Sequence, residues 1–163
     1  MTIELFRIDD RLIHGQVVVG WAQPLDVSFI VLVDDEVAES DWEQELYRMG
    51  VPPNVELYFD SVDDAAKKLA GYIADERRGI LLTGDIATMK KLIQESGIVQ
   101  KCNLGGIHHK SGRNQRMRYV FLSPEEEQAL RDIAAGGVEI SAQDVPAARE
   151  VPLNDVLEGE GEK

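Results

Sequence analysis

Between positions 9 and 15 the chain reads Asp9-Asp10-Arg11-Leu12-Ile13-His14-Gly15: two carboxylates, a guanidinium and an imidazole in six residues, then a glycine. Together these types suit phosphoryl chemistry. A neutral imidazole is a nucleophile near pH 7. Asp9 or Asp10 could accept a hydrogen bond from one ring nitrogen, fix the tautomer and leave the other nitrogen to attack. Arg11 could grip phosphate oxygens in a fork without ever losing its charge. Gly15 would let the backbone come close, and Gln16 would open a helix whose free amides favour an anion. Phosphoryl transfer is mostly positioning and electrostatics, so a sparse site suffices. The competing account is plain: a lone loop histidine is usually solvated or hydrogen-bonded, and an Asp-Asp-Arg cluster is often a surface ion-pair network worth little.

Such a loop needs a frame, and strand-like and helix-like segments alternate around it. Residues 2–8 read as a strand and 16–23 as a short helix stopped by Pro24. Residues 27–33 are a continuous β-branched and aromatic run, as in a strand buried on both faces. Ser40 and Glu43 look like a capping box, followed by Trp42, Leu46 and Met49 at helical spacing and by Gly50. Strands are expected at 55–59, 80–83, 99–104, 117–122 and 138–142. Ser61, Asp85 and Ser123-Pro124 start the intervening helices. Pro146 is expected to open the C-terminal tail. This alternation implies one α/β domain over residues 1–157, an open, mainly parallel sheet of about six to seven strands with helices on both faces. Residues 158–163 are expected to form a flexible acidic tail. Ligands in such sheets bind at the carboxyl ends of strands, so the loops at 9–15, 34–36, 83–85 and 103–115 are where chemistry should lie.

Composition narrows the classes. The 163 residues carry 17 basic and 30 acidic side chains, a net charge of −13. That opposes a whole-domain grip on nucleic acid or on an anionic membrane. A single cysteine, Cys102, leaves no internal disulfide and reads as a buried, inert thiol. No signal peptide or membrane-spanning run is visible, which suggests a cytoplasmic protein without direct membrane insertion. Adjacent His108 and His109 would point apart on extended backbone and make a poor chelating pair, and Asp34-Asp35-Glu36 suits helix capping better than a metal; no metal or cofactor is expected. Thr83, before Gly84-Asp85, could touch a phosphate, although an ordinary helix cap is the more economical account. There is no P-loop lysine, G-x-G-x-x-G or G-x-S-x-G motif.

The run from Arg7 to Val17, followed by Trp21, resembles the active-site signature of the IIB components of the mannose/fructose/sorbose class of the bacterial sugar phosphotransferase system. The similarity continues in order through Val33–Ala38, Asn103-Leu104-Gly105-Gly106, Ser123–Glu127, Gly137–Ile140 and Val145-Pro146, covering roughly residues 2–157. The resemblance implies that a IIA partner, itself phosphorylated by the carrier protein HPr, transfers its phosphoryl group to Nδ1 of His14. His14 would then pass it to a sugar entering through IIC and IID membrane components. Arg11 matches the family's arginine beside the histidine, and Gly15, Gln16, Thr83, Asn103, Gly105 and Gly106 fall where phosphate or partner contacts are expected. The chain departs from the pattern at Ile107, where methionine is common, and at the following His108-His109-Lys110. Arg113 and Arg116, with Arg118, would give this loop a basic patch that meets the donor or screens the phosphate; otherwise the loop is simply mobile and solvated. The alternative to transport is a regulatory phosphocarrier whose phospho-His14 state is read by a protein. A homodimer is compatible with the resemblance and decided by no residue.

Overall fold

The computed structural model describes residues 3–159. β1 (Ile3–Ile8) leads into a π-helical segment (Gln16–Ala22), then β2 (Phe29–Val33), α1 (Asp35–Ala38), α2 (Asp41–Met49), β3 (Glu56–Asp60), α3 (Val62–Ala74), β4 (Gly79–Thr83), α4 (Ile86–Ser96) and β5 (Lys101–Leu104). A hairpin of β6 (Asn114–Met117) and β7 (Val120–Leu122) follows, then α5 (Pro124–Ala135), β8 (Glu139–Ala142), β9 (Val151–Pro152) and α6 (Leu153–Leu157). Seven strands form one sheet in the order β3-β2-β4-β1-β5-β8-β9, parallel apart from β9.

Local chemistry sets the boundaries. Ser40, Ser61 and Asp85 each accept a backbone N–H three residues on. Ser123 does the same, and Glu126 accepts from its N–H in return, with Pro124 in the first turn. Gly97 closes α4 at φ 70, a left-handed conformation that suits glycine. Fully buried β2 shows why its run is continuously apolar: Phe29, Val31 and Val33 pack toward α3 and α4, while Ile30 and Leu32 pack toward the π-helical segment and α1.

Three expectations change. The strand over 117–122 is two strands of a separate hairpin turning at Arg118 and Tyr119, which carry no turn signature. Ile107 joins its rear by bonding to Tyr119 O and Phe121 N–H. The stretch after Pro146 is not tail: the chain returns as β9 and α6, and Leu153 and Val156 enter the core. The tail set at 158 is likewise anchored at its start, because Glu158 and Gly159 N–H close α6 and Gly159 O accepts from Arg116 Nη1. Residues 1–2 and 160–163, with Glu160 and Glu162, lie outside the described residues. Trp42, Leu46 and Met49 lie on a helix as their spacing implies; the stripe faces solvent, and α2 buries none of its residues.

Candidate functional site

β1 is flanked by β4 and β5, so its carboxyl end opens between two other strand ends. Both neighbours hold the departing loop. Asp9 N–H donates to Thr83 O at 2.9 Å, and Asp10 N–H to Gly106 O at 2.9 Å. Leu12 N–H returns to Asp9 O at 3.0 Å, closing a turn that leaves Leu12 at φ 60. That conformation is rare for a branched residue. The Leu12 side chain explains its tolerance: its Cδ2 lies 2.7 Å from where a Cβ on Gly84 would be. The strained position is therefore Leu12 and not Gly15, which has ordinary helical angles and open space where a Cβ would go.

One carboxylate organises the loop. Asp9 is fully buried and faces two arginines and the histidine. Arg11 donates to it from the backbone at 3.1 Å, from Nε at 3.0 Å and from Nη2 at 2.9 Å. Arg7 Nη2 reaches the same carboxylate at 3.2 Å. His14 Nε2 stands 3.5 Å from Asp9 Oδ2. Burial by itself would raise the Asp9 carboxyl. The hydrogen bonds from His14 and Arg11 and the charge of Arg7 outweigh it and hold the group well below the usual carboxylate range. The Arg11 guanidinium is raised, chiefly by the same hydrogen bond, and its side chain stays 31% exposed where an anion could meet it.

Arg7 is a functional candidate to which the sequence alone assigns no role. Its side chain is completely buried, and four acceptors hold its two terminal nitrogens: Asn103 Oδ1, and Gln143 O at 2.9 Å, on Nη1, Asp144 O at 3.2 Å and Asp9 on Nη2; among the described residues Nε has no hydrogen-bond partner. Its guanidinium lies 5.0 Å over the Trp21 ring, whose Nε1 donates to Asp144 O at 3.0 Å. An arginine at the inner end of the otherwise apolar Leu5-Phe6-Arg7-Ile8 is the available signal.

The remaining expected residues separate into layers. Asn103 braces Arg7 and does not face outward. Gly105 donates to Ile8 O at 2.7 Å, and an added Cβ there would fall 2.6 Å from Asp9 Oδ2 and closer still to Arg7. Gly106 lies against Arg11, and an added Cβ there would fall 3.1 Å from its Nε. Thr83 is corrected: it is wholly buried and its hydroxyl donates to Asp85 O, so it is not presented to a phosphate. Asp10 is also corrected. Its carboxylate turns away to His108, 2.6 Å from Nδ1 and 2.7 Å from the backbone N–H, clamping the later loop onto this one. The arginines of the basic patch have partners within the chain. Arg113 forks onto Glu126 at 2.9 and 2.7 Å, and Arg116 binds Glu127 at 2.6 Å, so both fasten the hairpin to α5. The Gln16 side chain lies outside the described residues. Asp34 caps α1, and Asp35 accepts from Val62 N–H, so that acidic cluster has structural partners. Among the described residues no group of three or more His, Cys, Asp or Glu could hold a metal, and no helix is long and apolar enough to cross a membrane.

Comparisons with known proteins place the chain in a family. Residues 3–163 match the PTS system sorbose subfamily IIB component family. The chain is 31% identical over 161 residues to the mannose-specific EIIAB component of Escherichia coli K12, covering 96% of this chain but 49% of that protein, so it spans about half the length of those relatives. It is 31% identical to the N-acetylgalactosamine-specific phosphotransferase enzyme IIB component 1 of the same organism, over 94% of this chain and 97% of the relative. The crystal structure of manxB from Thermoanaerobacter tengcongensis superposes with a TM-score of 0.86 at 31% identity, covering 96% of this chain and 95% of that one. Family match, relatives and fold concur: the chain belongs to the sorbose-subfamily IIB components of the phosphotransferase system.

Proposed function

We propose that His14 accepts a phosphoryl group from a phosphorylated IIA protein and passes it to a sugar entering through IIC and IID membrane components, working at the cytoplasmic side. The observation that carries the reading is the approach of His14 Nε2 to the buried Asp9 carboxylate at 3.5 Å. A proton on Nε2 shared with that carboxylate leaves the Nδ1 lone pair as the nucleophile. The new P–N bond forms at Nδ1 as the donor's bond to phosphorus breaks. In the second step this P–N bond breaks as a sugar hydroxyl oxygen bonds to phosphorus; the bonding pair returns to Nδ1 and the hydroxyl proton leaves to solvent. Because Asp9 is held charged by its arginines, it can keep the same ring orientation through both steps. Arg11, tethered and partly exposed, meets the equatorial oxygens. Arg7 and Asn103 position Asp9 from behind.

The test is incubation with phosphorylated IIA. Wild type should gain acid-labile, base-stable phosphate, and His14→Ala should gain none. Labelling of the alanine variant, or no labelling of wild type, overturns the reading. Arg11→Ala should slow transfer by about ten- to a hundredfold, the scale of one lost transition-state contact.

A further inference from the structure

α2 is packed the reverse of most surface helices. Its polar and mixed side holds the protein: Gln44 Nε2 donates to Val37 O and Ala38 O at 2.9 and 3.2 Å, Tyr47 stacks on Phe59 at 6.2 Å, and the Arg48 guanidinium sits 5.1 Å over the same ring. Its apolar stripe looks outward, with Trp42 67%, Leu46 54% and Met49 77% exposed. Positions i, i+4 and i+7 lie on one helix face. A nine-residue helix that turns a tryptophan and a methionine to water has a surface suited to an anchor in a partner's pocket.

Three occupants compete, charge chooses among them, and area sets how lasting the contact is. The three side chains offer on the order of 400 Å² of apolar surface. Any partner covering this stripe alone would then bury about 800 Å² in total, short of the roughly 1,200 Å² at which stable interfaces begin, which suits a transient contact. Exposed Asp41 and Glu45 on one flank, Glu45 lying 3.9 Å from Arg48, and half-buried Glu43 on the other leave a net negative charge that would repel a second copy. The same acidic flanks, on a chain of net charge −13, oppose an anionic lipid surface. They match a protein face whose apolar pocket is ringed by lysine and arginine, and the cytoplasmic loops of membrane proteins carry such an excess. We propose that the Trp42–Leu46–Met49 face of α2 docks, transiently, on the basic cytoplasmic face of the membrane partner that consumes the phosphoryl group. This rests on the function proposed above.

The experiment compares wild type with the double variant Trp42→Ala/Met49→Ala, using inside-out vesicles that contain IIC and IID and vesicles that lack them. Both changes replace exposed side chains by a better helix former, so the fold should persist, which circular dichroism checks. The expected result is an unchanged rate of phosphorylation by IIA and an approximately thirtyfold rise in KM for this protein in vesicle-dependent sugar phosphorylation, with kcat unaltered. Raising salt should weaken the wild type in the same assay. Unchanged KM overturns the proposal. So does loss of transfer from IIA, binding of wild type to vesicles without IIC and IID, or a wild-type dimer that the variant abolishes. Sedimentation of unphosphorylated protein with the IIC/IID vesicles reads docking without chemistry. Should wild type never gain phosphate, the function reading fails, while retained or lost sedimentation still decides the docking face.

Discussion

Replacing Asp9 by asparagine tests the centre of the site, because the structure fixes both the size and the pH dependence of the effect. The carboxylate accepts from Arg7, three times from Arg11 and faces His14, all without exposure to water. Asparagine keeps the shape, offers one acceptor oxygen and removes the negative charge between two guanidiniums. Breaking a buried ion pair costs about 3–5 kcal/mol when the surviving charge is left alone. Arg7 is not left alone, since Asn103 and two carbonyls still hold it. The lower end, about 3 kcal/mol, is therefore expected, which for a chain of this size lowers Tm by roughly 6–12 °C. Acid should shrink the gap. The folded carboxyl is depressed, so on acidification the unfolded chain takes up this proton first, near its ordinary pKa of about 3.9. Stability supplied by charged Asp9 is complete above that point and is lost as pH falls toward the folded value. The asparagine variant has no such loss. Urea unfolding at pH 7 and at pH 3 should show a large difference between the two proteins at the first and a smaller one at the second. A gap below about 1 kcal/mol at neutrality, or one unchanged at pH 3, would refute the buried-carboxylate argument.

Gly105→Ala should lower stability by about 1–3 kcal/mol, the scale of overpacking, and slow phosphorylation of His14, because Arg7 and Asp9 cannot swing aside as surface side chains can. Gly15→Ala, where a Cβ meets nothing within 4 Å, is the control and should fold like wild type; thermal melts and labelling by IIA compare the two. Arg113→Glu should destabilise by about 2 kcal/mol or more, because it places a carboxylate against Glu126 and strips the fork from the hairpin, as denaturant unfolding would show. Cys102 is fully buried and burial pushes its thiol up to about 12, so a thiol reagent at pH 8 should modify it only once the chain is unfolded.

What the sequence disclosed tracks the range of the interactions involved. His14, Arg11 and Asp9 lie within six residues of one another, and their types announce the chemistry by themselves. Caps such as Ser61, Asp85 and Ser123 act over three residues and are equally plain. Asp10 cannot be assigned in this way, because its partner His108 lies 98 positions away. The same holds for Arg7, whose acceptors come from β5 and the segment after β8. Arg113 and Arg116 look like free charge in the sequence because Glu126 and Glu127 read as first-turn acids of α5. Only the folded hairpin brings the two pairs together. The turn at Arg118 and Tyr119 and the return of Val151–Leu157 are hidden for a different reason: the turn carries neither glycine nor proline, and the return, although Pro152 precedes α6, has a two-residue strand and a five-residue helix, too short to show a period.

Gly84 and Gly105 act on the site by what they lack. One makes room for Leu12 after β4, the other for Arg7 and Asp9 after β5, and each comes from a loop distant in the chain from the histidine. The loop is thus cast in a mould whose walls are bare backbone. A protein could carry every residue from Arg7 to Gly15 and still be unable to set the ring against its carboxylate, if either hollow were filled by a methyl group. Transplanting the site onto another parallel sheet would therefore mean copying two empty places along with the motif, and a search of sequences for this chemistry should weigh those two silences as heavily as the histidine.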